Sequence, residues 1–216
     1  TGYNVIDCAA ARERGVPVCN VPDYGTSAVS QFAFGLLLEI CHQIGHHNNL
    51  VHQGAWTACP SFCFWDTPQM ELAGKTLGII GFSRIGRAVG KIANAFGMKV
   101  IAYNRSQCEE GKAIGSYVNL GELLATADII SLHCPLTPEN TGMINAQTIA
   151  KMKDCAILIN TARGSIIDEP ALIEELKKGR FFACIDVTEP EPPPADTELR
   201  ALPNVVLTPH IAGAVT

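Results

Sequence analysis

The chain has 216 residues, 47% apolar and 17% charged, which is enough to bury one substantial core and unlike the composition of a disordered segment. A net charge of −5 and a pI near 5.6 exclude the clearly basic face that nucleic-acid binding demands, so small-molecule chemistry is expected. No run approaches the roughly 20 apolar residues of a membrane span, and no charged-then-apolar leader opens the chain, so the expected compartment is cytoplasmic.

The chain opens on "TGYNVID" without Met, as part of a longer protein would. Residues 1–22, with a helix-like "DCAAARERG" and a strand-like "VPVCNVP", read as the tail of another α/β unit. Thr26 to Ile44 begins on Thr/Ser and is densely apolar, which predicts a long, largely buried helix. Its apolar surface is either buried within its own domain or shared with a second subunit.

From "TLGIIG" onward, β-branched runs alternate with helical patterns. Strands are predicted over 76–81, 99–104, 128–134, 156–162, 181–187 and 205–210, with helices over 85–96, 120–127, 146–152 and 170–178. Strands apolar on both faces and separated by helices imply a doubly wound α/β domain around a parallel sheet, Rossmann-like, over 23–208, with 209–216 returning to a partial second α/β substrate domain. The Pro-rich "TEPEPPPADTEL" reads as a stiff connector. Nine cysteines, odd in number and without a C-x-x-C, read as reduced and structural, several of them, such as Cys134 and Cys184, as small hydrophobes within apolar runs.

The stretch "GFSRIGRAVG" has the outline of G-x-G-x-x-G, placed between a strand and a helix as a dinucleotide fingerprint requires. Gly81 permits the tight turn, and Gly86 permits close helix–strand packing. Ser83 stands where the second glycine belongs, adding bulk, a hydroxyl donor and, if φ must be positive there, strain. The helix amino terminus offers N–H groups to a pyrophosphate. The second strand ends in "YNRS", with neutral Asn104, cationic Arg105 and Ser106 where an acid would accept from the ribose of NAD. That set suits the 2′-phosphate of NADP, and the plain alternative is a polar turn.

Arg163, Glu191 and His210 each follow a predicted strand, at the sheet edge where ligands bind in open α/β folds. Together they supply a planar cation, a carboxylate and an imidazole, a set that fits hydride transfer to a 2-oxo acid. Arg163 can grip a carboxylate with a two-point fork. An imidazolium at His210 can protonate the oxygen as hydride reaches the carbon, with Glu191 orienting it. Because a proton is consumed, reduction is favoured at lower pH and oxidation at higher.

The motifs "LAGKTLGIIGFSRIGRAVG", "SLHCPLTPENTGMIN", "INTARGSIIDEPALI", "DVTEPEP" and "LPNVVLTPHIAG" resemble the D-isomer-specific 2-hydroxyacid dehydrogenase family along the whole chain. Within it, "CPSFCFWDTP" is similar to glycerate dehydrogenases, also called hydroxypyruvate reductases. The resemblance implies a homodimer of an NAD(P) domain inserted into a substrate domain, with Arg163, Glu191 (rather than Glu189) and His210 catalytic. It also implies cofactor contacts at Arg84, Ile85, Asn104, Arg105, Pro135, Thr161, Ala162 and Asp186. The family's first substrate-domain segment and the helix after "HIAG" have no counterpart here, and "GRFFACIDV" is one residue shorter than the usual pattern. Transcriptional corepressors share the resemblance, which keeps a dinucleotide-sensing binding module as the alternative. His42 and His46, four apart on a possible helix, have no completing ligand, and no metal is expected.

Overall fold

The computed structural model describes residues 2–3, 6–21 and 23–214. Helix α1 (Cys8–Glu13) is capped by the Asp7 carboxylate, which accepts from the Ala9 and Ala10 N–H groups at 3.1 and 2.9 Å, and it buries none of its residues. The strand expected over 16–22 does not form: residues 16–21 are exposed and irregular, and residue 22, like 4 and 5, lies outside the described residues. A strand needs a neighbour for its N–H and C=O groups, and no strand of the sheet pairs there.

Helix α2 (Thr26–His42) ends two residues before the predicted boundary, because Gln43 turns left-handed at φ 44° and Ile44 starts α3 (Ile44–His52). His42 and His46 therefore lie on different helices. His42 bonds Gln69 and His46 bonds Asp66, at 3.0 and 2.7 Å. The short α4 (Ala55–Ala58) follows.

The alternating segment then builds β1 (Thr76–Ile80), α5 (Arg84–Ala95), β2 (Lys99–Tyr103), α6 (Glu109–Lys112), β3 (Ser116–Tyr117), α7 (Leu120–Thr126) and β4 (Ile129–Leu132). It continues through α8 (Ala146–Ile149), β5 (Ile157–Asn160), α9 (Glu169–Lys177), β6 (Phe182–Ile185) and β7 (Val205–Leu207). Local chemistry sets the helix starts: Asn119 accepts from the Glu122 N–H at 2.9 Å, and Asp168 accepts from the Ala171 N–H at 3.2 Å.

The seven strands form one sheet in the order β3-β2-β1-β4-β5-β6-β7, every pairing parallel. Chain progression reverses between β1 and β4, the switch point at which such sheets open a crevice. One face is covered by α2 and α5 through Phe34, Leu37, Cys41, Val89 and Ala93, with Phe34 stacked on Phe96 at 5.3 Å. The other is covered by α7, α8 and α9 through Leu123, Leu124, Ile149, Leu172 and Leu176. Each fully buried side chain of this kind contributes roughly 1.5 to 3 kcal/mol. β4 and β5 are buried throughout, as two-sided cover requires.

The cysteines divide. Cys41 and Cys184 are buried, and burial pushes the Cys41 thiol up to about 11 and raises Cys184 as well. Cys19, Cys108 and Cys155 are exposed. Cys108 caps α6, its sulfur accepting from the Gly111 N–H at 3.4 Å, a polar task that no apolar pattern in the sequence signals.

Candidate active site

Every predicted site residue sits in a loop leaving the carboxyl edge of the sheet or in the first turn of the helix that follows. After β1, Gly81 takes φ 93°, and a side chain there would overlap the Cys134 backbone. A side chain at Gly86 would overlap the Gly81 carbonyl, so strand and helix meet with no room to spare. Ser83 has φ −86° and ψ −154°, ordinary extended backbone, so the strain considered for this position does not arise. Its side chain is exposed and caps no N–H. The first-turn N–H groups of α5, which have no acceptors within the helix, follow directly through Arg84 and the half-buried Ile85. Arg84 is ion-paired with Asp23.

At the end of β2, Asn104 ties the loop down. Its Oδ1 accepts from the Phe82 N–H at 3.1 Å, and its Nδ2 donates to the Ser106 carbonyl at 2.7 Å. Arg105 and Ser106 are exposed beside it. Beyond β4, the Pro135 carbonyl accepts from Asn140 Nδ2 at 2.8 Å. Nearby, the Glu139 carboxyl is held below its ordinary range, first by a hydrogen bond from Thr137 and further by the charge of Arg105.

Beyond β5, the buried Asn160 shapes the next loop, accepting from the Ala162 N–H at 3.0 Å and donating to the Arg163 carbonyl at 2.9 Å. Arg163 Nη1 donates to the Ala162 carbonyl at 2.6 Å. Thr161 Oγ1 is buried there with no hydrogen-bond partner. A side chain at Gly164 would overlap the Thr188 carbonyl, so the Arg163 loop lies directly against the loop after β6.

In that loop the two candidate glutamates separate. Glu189 Oε2 accepts from Ser165 Oγ at 2.8 Å, whereas Glu191 Oε2 lies 2.8 Å from His210 Nδ1. Glu191 Oε1 also accepts from the Thr188 N–H at 3.2 Å. His210 is left-handed at φ 53°, a conformation non-glycine residues seldom adopt. Asp186, 1% exposed, holds that turn: Oδ1 accepts from Thr208 Oγ1 at 2.6 Å and the Ile211 N–H at 3.0 Å, and Oδ2 from the Ala212 N–H at 2.9 Å. The Asp186 carbonyl takes the His210 N–H at 2.8 Å.

Of the residues expected to act together, Glu191 and His210 are bonded to each other, and the loops bearing Arg163 and Glu191 are in contact. The supports Asn160, Gly164, Thr188 and Thr208 were not anticipated. The signal for Gly164 was a glycine immediately after the arginine in "ARGS". Among the described residues no group of three or more His, Cys, Asp or Glu could hold a metal.

A glycine loop that admits no side chain at Gly81 or Gly86, the helix amino terminus it runs into and an unpartnered Thr161 hydroxyl on the same edge fit a dinucleotide. With the Glu191–His210 pair farther along the same edge, they define a nicotinamide-dependent oxidoreductase domain of the doubly wound class.

Comparison with known proteins is specific. Residues 34–212 match the family described as D-isomer specific 2-hydroxyacid dehydrogenase, NAD binding domain. The chain is 51% identical to a hydroxypyruvate reductase of Blautia hydrogenotrophica and 41% identical to a glycerate dehydrogenase of Methylorubrum extorquens, covering 99% of this chain and 67% of each relative. A D-lactate dehydrogenase with NAD+ from Lactobacillus jensenii superposes with a TM-score of 0.82 at 36% identity, over 98% of this chain and 67% of that one. The chain belongs to the D-isomer specific 2-hydroxyacid dehydrogenase family, and it spans about two thirds of the length of these relatives.

Proposed function

We propose that the protein reduces a small 2-oxo acid of the hydroxypyruvate or glyoxylate type to its D-2-hydroxy acid, and catalyses the reverse oxidation. A bound nicotinamide dinucleotide supplies or accepts the hydride. Arg163 binds the substrate carboxylate through its guanidinium fork. His210 donates a proton from Nε2 to the oxygen that becomes the hydroxyl, since its Nδ1–H is engaged by the Glu191 carboxylate. The hydrogen bond between Glu191 and His210 carries this reading: it orients the ring, as a general acid requires. The names of the relatives at 51% and 41% identity support the substrate class.

For the cofactor, the reading is a preference for NADP. The residues at the end of β2 carry no acid, and Arg105 and Ser106 are exposed as ligands for a 2′-phosphate. Ser83, Arg84, Ile85, Pro135, Thr161 and Ala162 complete the cofactor contacts in this proposal, and Asp186 lies at the nicotinamide end. Residues 1–22 and 209–216 are assigned to the substrate domain, and 23–208 to the dinucleotide domain. No described helix is long and apolar enough to cross a membrane. Free cysteines at three exposed positions accord with a reducing compartment such as the cytoplasm. Trp56, Phe62 and Trp65 are each exposed, at 52%, 88% and 68%, and are the large apolar side chains this reading would bury in a homodimer.

Steady-state turnover of hydroxypyruvate and glyoxylate by the full-length protein, with NADPH and with NADH, tests the proposal. Tight dinucleotide binding without turnover of any 2-oxo acid would instead establish a sensing module.

A further inference from the structure

We propose that Asp23 is an ionic latch on the glycine loop, competing with the dinucleotide pyrophosphate for Arg84 and thereby setting cofactor affinity. The inference rests on the reading of Arg84 as a pyrophosphate ligand. Arg84 is the first residue of α5, directly after Ser83, where the loop presents the helix amino terminus. Its guanidinium is paired with the Asp23 carboxylate, and both side chains are more than half exposed.

Asp23 belongs to neither the sheet nor its helices. It precedes Gly25, the residue that caps α2, at the proposed boundary between the substrate-domain tail and the dinucleotide domain. Its neighbour Tyr24 faces the segment that returns after His210: a Cβ built at Gly213 would lie 3.5 Å from the Tyr24 hydroxyl. The pair thus joins the pyrophosphate loop to the place where the chain enters and leaves the domain.

The Asp23 carboxylate opposes the incoming phosphates by occupying part of a fork whose donors the pyrophosphate would use. Because exposed pairs are individually weak, the effect on affinity should be about two- to fivefold.

Calorimetric titration of the full-length protein with NADPH and NADH, comparing wild type, Asp23→Asn, Asp23→Glu, Arg84→Gln and the Asp23→Asn/Arg84→Gln double variant, tests this. The latch predicts weaker binding for Arg84→Gln, binding about two- to fivefold tighter for Asp23→Asn, near-wild-type affinity for Asp23→Glu, and little gain from Asp23→Asn once Arg84 is gone. If Arg84→Gln binds as wild type does, the assignment of Arg84 to the pyrophosphate fails and the latch falls with it. If Arg84→Gln weakens binding while Asp23→Asn leaves it unchanged or weaker, the latch alone is overturned. An equal gain from Asp23→Asn in both backgrounds would mean direct repulsion and no competition for Arg84, and would also overturn it.

Discussion

Glu191 Oε2 and His210 Nδ1 lie 2.8 Å apart, although they are 19 positions apart in the chain and His210 holds a left-handed backbone at φ 53°. In the proposed mechanism the carboxylate fixes the ring by its Nδ1–H and leaves Nε2 for proton exchange with substrate. Replacing His210 by Gln should therefore cut turnover by about 10²- to 10⁴-fold, the usual worth of general acid–base assistance. Dinucleotide affinity should stay within about twofold. Steady-state kinetics with a binding titration checks both, and a variant retaining most of the wild-type rate would remove His210 from the mechanism.

Arg163→Lys should lower kcat/KM for the 2-oxo acid by at least about tenfold, because a point cation cannot reproduce a planar fork. The Ala162 carbonyl that Arg163 already bonds at 2.6 Å shows how closely the guanidinium is packed into its loop. Unaltered efficiency would assign the substrate carboxylate to another group.

The strand-end residue Asn104 predicts a cofactor experiment. In Asn104→Asp the Phe82 N–H keeps its acceptor, the bond to the Ser106 carbonyl is lost, and a negative charge arrives beside Arg105. The wild type should prefer NADPH, and the variant should flatten or reverse that preference by repelling a 2′-phosphate. Kinetics with both cofactors on both proteins decides, and a wild type favouring NADH sinks the proposal.

Ser83→Gly should change NADPH affinity by less than about tenfold. The backbone at Ser83 is extended, so glycine relieves no left-handed strain, and the exposed hydroxyl is a potential donor to phosphate. A gain far above tenfold would identify the side chain as a steric obstacle, and a clear loss would identify it as a phosphate ligand.

His133 makes a stability prediction. Its ring is buried, 2.8 Å from Ser131 Oγ, and burial lowers its pKa to about 4. The unfolded chain, with an ordinary histidine near 6.5, binds the proton first as pH falls, so folding stability should decline from about pH 6.5 toward 4, by as much as about 3 kcal/mol. His133→Asn should be less stable at pH 7 and show a flatter profile across that window. Urea unfolding at several pH values measures it, and an unchanged slope would show that His133 does not titrate there.

The sheet and its helices were legible because two-sided burial writes itself as apolar runs, as at Ile129–Leu132 and Ile157–Asn160. The ends were not. Predicted strands ran on to 134, 162 and 210, whereas the ladders stop at Leu132, Asn160 and Leu207. Apolar or β-branched residues continue past those points, but the backbone there turns away to present Cys134, Arg163 and His210. Support by distant partners was also invisible: nothing in the spacing of Asp186 and Ala212 announces a 2.9 Å bond. The two-residue strand Ser116–Tyr117 is too short to show a period.

The parallel sheet also acts as a ruler. Neighbouring strands lie about 4.8 Å apart, so the glycine loop after β1 and the arginine loop after β5, two strands away, are separated by about 10 Å, and the histidine turn after β7 lies about 19 Å along the same edge. That reach is set by backbone hydrogen bonding and not by any side chain. Substitutions in the core can weaken the domain while the distance from the glycine loop to the Glu191–His210 pair stays constant. Insertions or deletions in the loops after β5, β6 and β7 are what would move the chemistry relative to the glycine loop, and the overlap that any side chain at Gly164 would make with Thr188 leaves little slack for them.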